Sequence, residues 1–343
     1  MRRGKLVTTL LCTAMALGML TGCGKESDST TTEATTEVTT EAATEEATVL
    51  DAATDEDADD ENYDTGDAAL DNVRNQDEIG DNELLVVSFG TSYNDSRRLT
   101  IGAIEDKLDD KFGDTYSVRR GFTSQIIIDH VKSRDDIAID NVKEALDRAV
   151  DNGVKNLVVQ PTHLMNGLEY NELVDEIANY SDAFDSVSIG EPLLTSDDDF
   201  DKVITAITDA TAEYDDGETA ICFMGHGTEA DSNEVYAKMQ ELLTEKGYDN
   251  YYVGTVEATP SLDDVLALVK AGDYKRVVLR PLMIVAGDHA NNDMAGDEDD
   301  SWKSAFEDAG YEVICVVNGL GELPAIQDIF VEHAQAAIDA ANK

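Results

Sequence analysis

Basic residues are scarce in this 343-residue chain, 25 Lys and Arg against 73 Asp and Glu, for a formal net charge of −48. Affinity for nucleic acid rests on clustered cations that neutralise phosphates, so this balance argues against a nucleic-acid partner. It favours solubility and, more weakly, a cationic partner. Cysteine is nearly absent too, at four residues. Cys12 falls in a leader segment, Cys23 has a separate fate, and Cys222 and Cys315 fall in apolar strand-like runs. No disulfide framework is expected, only free apolar thiols. A long apolar run is also missing. The stretch Leu6–Leu20 is too short and too rich in small residues for a membrane span. Histidine occurs five times, few enough that each can be weighed.

The first 22 residues read as an export signal: a positive Met1-Arg-Arg-Gly-Lys5, then the apolar stretch, then Leu20-Thr-Gly-Cys23. The last four match a lipobox, whose cysteine is diacylated and becomes the new N-terminus. The expected protein is therefore extracytoplasmic and held to the membrane through lipidated Cys23, since each buried methylene contributes about 0.8 kcal/mol. Residues 23–82 form an acidic Thr, Glu and Asp-rich stretch. Beyond Cys23 it holds 20 acidic and 2 basic residues. It has too little apolar surface to offset its ordering entropy, and a disordered tether reaching roughly 40 Å is expected.

From Glu83 onward strand and helix patterns alternate. Strands are expected near Leu84–Phe89, Ser117–Phe122, Asn156–Gln160, Ser186–Ile189, Ala220–Met224, Tyr251–Val256, Arg276–Leu282 and Glu312–Val317, with helices between them and a closing helix over Pro324–Ala341. This alternation predicts parallel sheets covered on both faces. Val86-Val-Ser-Phe-Gly90-Thr91 and Cys222-Phe-Met-Gly225-His-Gly-Thr228 open two similar stretches. Each stretch later carries an apolar strand ending in proline, at Pro161 and at Pro281. The fold class is α/β: two similar parallel-sheet halves, 83–195 and 196–343, with a cleft between their carboxyl edges. The chain crosses between them near Glu191–Asp198, and the last helix packs back on the first half.

Polar groups at carboxyl strand ends are where such sheets place chemistry. His226 lies between two glycines at one strand end, and His289 opens the Asp- and Asn-rich loop after another. Both are expected to face the cleft. Ser88, Gly90, Thr91 and Ser92 form a strand-to-helix turn whose amides suit a substrate carboxylate. His163, in Gln-Pro-Thr-His, is a candidate substrate contact. His130 and His333 read as surface residues of helices. Asp293 and Asp297–Asp300 read as the cap and first turn of the helix bearing Trp302, with a role in guiding metal as the second reading.

Six stretches stand out: Leu85-Val-Val-Ser-Phe-Gly-Thr-Ser-Tyr93, Met224-Gly-His-Gly-Thr228, Gly254-Thr-Val-Glu257, Pro281 through Met294, Asp300-Ser-Trp-Lys303 and Gly319-Leu-Gly-Glu-Leu-Pro-Ala-Ile326. Together they resemble the anaerobic-type sirohydrochlorin cobalt chelatases, class II chelatases related in fold to ferrochelatase. The resemblance spans Glu83 to Ala341. It implies insertion of Co2+ into sirohydrochlorin, a step of cobalamin biosynthesis, without a nucleotide. It also implies His226, His289 and Glu169 as the catalytic, metal-handling set. Glu169 by itself equally suits a first-turn partner of a helix dipole. Imidazole ligands would accept Fe2+ or Ni2+ as well. The export signal is unusual for a biosynthetic enzyme and leaves a second reading, a surface protein that binds a tetrapyrrole (haem) or metal for capture or delivery without turnover.

The lipobox reading has a direct consequence. Cys23→Ser should abolish lipid incorporation and move the protein from the membrane fraction to the soluble fraction; unchanged membrane retention would contradict it.

Overall fold

A computed structural model of the chain describes residues 65–341. Cys23, the signal and the tether up to residue 64 lie outside the described residues. The first half contains β1 (Asn82–Ser88), a short α1 (Asn94–Arg97) that runs through a π-type turn into α2 (Ala103–Phe112), β2 (Ser117–Phe122), α3 (Gln125–Asp135), α4 (Val142–Asp151), β3 (Asn156–Pro161), α5 (Leu168–Ala178) and β4 (Ser186–Ile189). The crossing is α6 (Asp197–Thr211). The second half follows with β5 (Thr219–Gly225), α7 (Glu234–Glu245), β6 (Tyr251–Thr255), α8 (Leu262–Ala271), β7 (Arg276–Pro281), α9 (Trp302–Asp308), β8 (Glu312–Cys315) and the closing α10 (Pro324–Ala341).

The two halves have the same topology. Their four-stranded sheets run β2-β1-β3-β4 and β6-β5-β7-β8, every pairing parallel. In each, the chain leaves the first strand to one side and returns to the other, so a crevice opens at the carboxyl edge between β1 and β3 and again between β5 and β7. The central strands are covered on both faces, and nearly every residue of β1 and all of β5 are buried. Period-two alternation decides which core each side chain joins. Leu84 and Val86 of β1, with Ile221 and Phe223 of β5, enter a core shared by both halves, together with Ile326, Ile329 and Phe330 of α10. Leu85 and Val87 face outward beneath α4 and α5. Ala220, Cys222 and Met224 do the same beneath α8 and α9. As expected, α10 packs on α2, β3 and β4 of the first half, and Cys222 and Cys315 are free thiols.

Three points refine or change the expectations. First, the helix expected to carry His130 is α3, whose bounds only the structure gives. Its Ile126-Ile-Ile128 run hides a helical face, because only Ile128 and Val131 are buried; the Ser124 side chain caps the helix and Asp136, at φ +55°, ends it. Second, ordered chain begins before residue 82. Ile79 sits in a hydrophobic core, Arg74 is buried, and Asp71 pairs with Arg97 and Arg120. The composition of that stretch is polar, but buried arginines elsewhere in the chain need carboxylates, and an unpaired buried charge is far costlier than ordering a few residues. Third, His333 is not a surface residue. Its side chain is 13% exposed and lies 3.0 Å from Asp199 and from the Glu191 carbonyl, tying α10 to the crossing segment.

Phe306 of α9 is fully buried between Trp302 and Tyr311. Phe306→Ala should cost about 3–5 kcal/mol, read as a lower urea midpoint with unchanged slope. A midpoint equal to that of the parent would contradict this packing.

Candidate active site

The site is built at the carboxyl ends of three adjacent strands. β5 ends at Gly225, where a Cβ would lie 2.1 Å from the Tyr236 ring, and Gly227 takes φ +93° with the Ala258 backbone close by. Glycine is required on both sides, and between them His226 is turned out over the sheet edge. Parallel pairing continues past the strands: the Val256 N–H donates to the Gly225 carbonyl at 3.0 Å and the Glu257 N–H to the His226 carbonyl at 2.9 Å. Glu257 is thereby registered beside His226, with 3.8 Å between Oε1 and Nε2. His289 arrives from the loop after β7, just ahead of a π-type turn over Ala290–Met294. The two imidazole rings lie 4.7 Å apart at 76°.

Hydrogen bonds set the tautomers. Nδ1 of His226 lies 2.8 Å from the Gly227 carbonyl, which can only accept, so Nδ1 carries the proton and Nε2 keeps its lone pair. Nδ1 of His289 lies 2.7 Å from the Asp293 carboxylate, with the same result. Such partners orient a metal-binding histidine and raise its basicity. Among the described residues, one ligand atom from each of His226, Glu257 and His289 falls within 4.8 Å of the others. All three are partly exposed. Two imidazoles presenting Nε2 and a carboxylate suit a divalent first-row transition ion, and they leave positions open for water or a second ligand.

The other expected residues are placed around this group. Glu169 is exposed in the first turn of α5 and does not belong to the three-residue cluster. Its charge acts instead on His163 and Tyr236. Neither ring nitrogen of His163 has a partner among the described residues, and both are shielded. Burial pushes this histidine down to about 4, against the pull of Glu169, so it is neutral at physiological pH. Tyr236 accepts a hydrogen bond from the Gly227 N–H at 3.3 Å, and burial pushes its phenol up to about 12. In the turn after β1, Ser88 is buried and bonded to Thr162 at 2.7 Å. Gly90 has φ +111°. Thr91 is buried, and Ser92 gives its carbonyl to Arg134. The side chains of Ser88 and Thr91 thus brace the turn from within.

Glu257 is the residue that the sequence reading did not assign. The available signal was its position: an acid two residues past a strand that neighbours the His226 strand. Asp293 also differs from expectation. It binds His289, whereas Ser301 caps α9 by accepting from the Ser304 N–H at 3.0 Å, and Asp297 pairs with Lys303.

A family model described as Cobalt chelatase (CbiK) matches residues 82–339. Over 258 residues the chain is 37% identical to a Sirohydrochlorin cobaltochelatase of Salmonella typhimurium, covering 75% of this chain and 97% of that protein. The chain belongs to the cobalt chelatase family. A second relative, the Sirohydrochlorin cobaltochelatase CbiKC of Nitratidesulfovibrio vulgaris, is 32% identical over 54% of this chain and 66% of its own length. Among solved structures, SirB from Bacillus subtilis with Fe3+ has a similar fold, with a TM-score of 0.54 at 13% identity over 76% of this chain and 98% of that one. The chelatase therefore has the two-half fold that the alternation predicted, and its match takes in both sheets and all three residues of the His226–Glu257–His289 group.

The electrostatics of His289 give a pH dependence. Burial opposes its protonation, but Asp293, Asp288 and Glu257 outweigh burial and hold its pKa above the ordinary histidine value. Metal needs the lone pair that a proton would take, so Co2+ affinity of the chelatase should fall with decreasing pH, beginning above about 6.5. Asp293→Asn should shift this loss to lower pH and weaken affinity at pH 8 by about 10–100-fold. Calorimetric Co2+ titrations from pH 5 to 8.5 check both; an unshifted profile would count against the His289–Asp293 pair.

Proposed function

We propose that the chain inserts Co2+ into sirohydrochlorin, and does so outside the cytoplasmic membrane, anchored through lipidated Cys23. The observation that carries the reaction is the His226–Glu257–His289 group at the carboxyl edge of the second sheet; the relatives named sirohydrochlorin cobaltochelatase support the substrate. The anchor is supported by Leu20-Thr-Gly-Cys23 and the acidic stretch after it.

The chemistry follows from what must change. Co2+ loses part of its water shell, two pyrrole N–H protons leave, and four pyrrole nitrogens replace the remaining ligands. Nε2 of His226 and of His289 with the Glu257 carboxylate substitute for water while leaving positions open. Their lone pairs are free because both Nδ1 protons are committed to fixed acceptors. A mixed nitrogen and oxygen set of three ligands holds the ion without competing with a four-nitrogen macrocycle. Two protons are released for each ion inserted. Glu169, exposed in the first turn of α5, accepts one and passes it to water, and the other leaves to water directly. His163, neutral and with both ring nitrogens buried, gives the site no charge. No nucleotide enters this balance.

His226→Ala and His289→Ala should each reduce Co2+ insertion by the purified protein to the spontaneous rate while leaving the unfolding midpoint nearly unchanged. Glu169→Gln should retain Co2+ binding but slow insertion by about 100-fold. Full insertion by both histidine variants would overturn the assignment. Co2+ binding lost in those variants of a parent that never turns over sirohydrochlorin would instead favour a capture or delivery protein.

A further inference from the structure

The family match begins at residue 82, yet residues 65–81 precede it as part of the folded unit. They do more than cover surface. The Thr65 carbonyl accepts from the Asp95 N–H at 2.7 Å. Asn94 donates to the Thr65 hydroxyl at 3.3 Å and to the Gly66 carbonyl at 3.2 Å. Asp71 takes Nε of Arg97 at 2.7 Å, with both side chains essentially inaccessible to solvent. Arg97 divides the rest of its guanidinium between the Thr91 carbonyl at 3.1 Å and Asn94 Oδ1 at 2.5 Å. The segment thus grips the turn 91–97 from behind.

That turn in turn meets the metal-site loop residue by residue. Ser96 Oγ accepts from the Ala286 N–H at 2.9 Å. Thr91 Oγ1 lies 3.0 Å from the point a Cβ on Gly287 would occupy. The Tyr93 hydroxyl lies 3.5 Å from Asp288. Ala286, Gly287 and Asp288 are the three residues immediately before His289.

We propose that residues 65–74 are a strap that positions the His289 loop through the turn 91–97, with Asp71 as the positioning residue. The consequence for metal handling rests on the role of His289 proposed above. Asp71 suits the task because Arg97 reaches both the strap and the turn. Arg120, the other partner of Asp71, keeps a two-pronged bond to Glu105 at 2.8 and 2.7 Å without it. Arg74 anchors only the far end of the strap, on Asp106 and Asp109 of α2, and so provides a control that loosens that end while the Asp71–Arg97 contact to the turn stays.

The test uses the full chain carrying Asp71→Ala, Asp71→Asn, Ser96→Ala or Arg74→Met, read by hydrogen exchange and by titration with Co2+ alone. Asp71→Ala should raise exchange at residues 286–288 by at least about tenfold while β5 and β7 stay protected. It should also weaken Co2+ binding by about tenfold. Asp71→Asn, which keeps an acceptor for the Arg97 Nε–H, should fall between it and the parent. Ser96→Ala, which leaves the strap docked, should reproduce both effects and carries the test if Asp71→Ala does not fold. Arg74→Met should lower the unfolding midpoint with neither effect. Unchanged exchange at 286–288 in Asp71→Asn and Ser96→Ala, raised exchange with unaltered Co2+ affinity, or equal effects from Arg74→Met would each overturn the proposal. A parent that binds no Co2+ would remove the proposed function, and the exchange data would still judge the strap.

Discussion

The site depends on parallel pairing carried one step beyond the strands of the second sheet. β5 lies between β6 and β7, and the Gly225 and His226 carbonyls go on accepting from Val256 and Glu257 after regular strand has ended. Those bonds hold a carboxylate beside an imidazole without help from either side chain. The two charged or polar groups remain free for a ligand. A shift of pairing by one residue would turn Glu257 to the opposite face, so the cluster exists only in this register.

Order around the site is electrostatic as much as hydrophobic. The chain is strongly acidic, and five of its arginines, Arg74, Arg97, Arg119, Arg120 and Arg280, are buried. Arg119 of β2 is buried against Glu83 and Asp140, and its neighbour Arg120 against Glu105 and Asp71. Burial raises the Glu83 carboxyl to about 7 despite Arg119 beside it, a sign of how dry this layer is. In such surroundings the removal of one partner is costly, because the other stays charged and unpaired. Asp71 shows the opposite pull: burial works to raise its carboxyl, and Arg120 with Arg97 nevertheless brings it below the ordinary value. Acidity that looks like simple solubility in the composition is therefore partly structural.

The two clustered histidines show how a second contact sets chemistry. Gly227 offers His226 a backbone carbonyl, fixed by a left-handed turn. Asp293 offers His289 a carboxylate, one helical turn away. Both leave Nε2 available, but the carboxylate adds charge, and His289 is the ring whose pKa rises.

The sequence by itself determined the two-half parallel architecture, seen in all eight strands within a residue or two of their positions, and it singled out His226 and His289. It could do so because strand periodicity, flanking glycines and terminal prolines are local, and a histidine at a strand's carboxyl end can be seen one strand at a time. Tertiary structure alone decided that Glu257 lies within 4.8 Å of both imidazoles. It also decided that Asp293 serves His289 and not α9, and that His333 and residues 65–81 are built into the fold. Each of these depends on which distant group lies opposite: Glu257 on the order β6-β5-β7, His333 on the crossing segment, and Asp71 on two buried arginines. A carboxylate or an imidazole reads the same in the sequence whether it ends in water or against a partner, and only folding chooses between them.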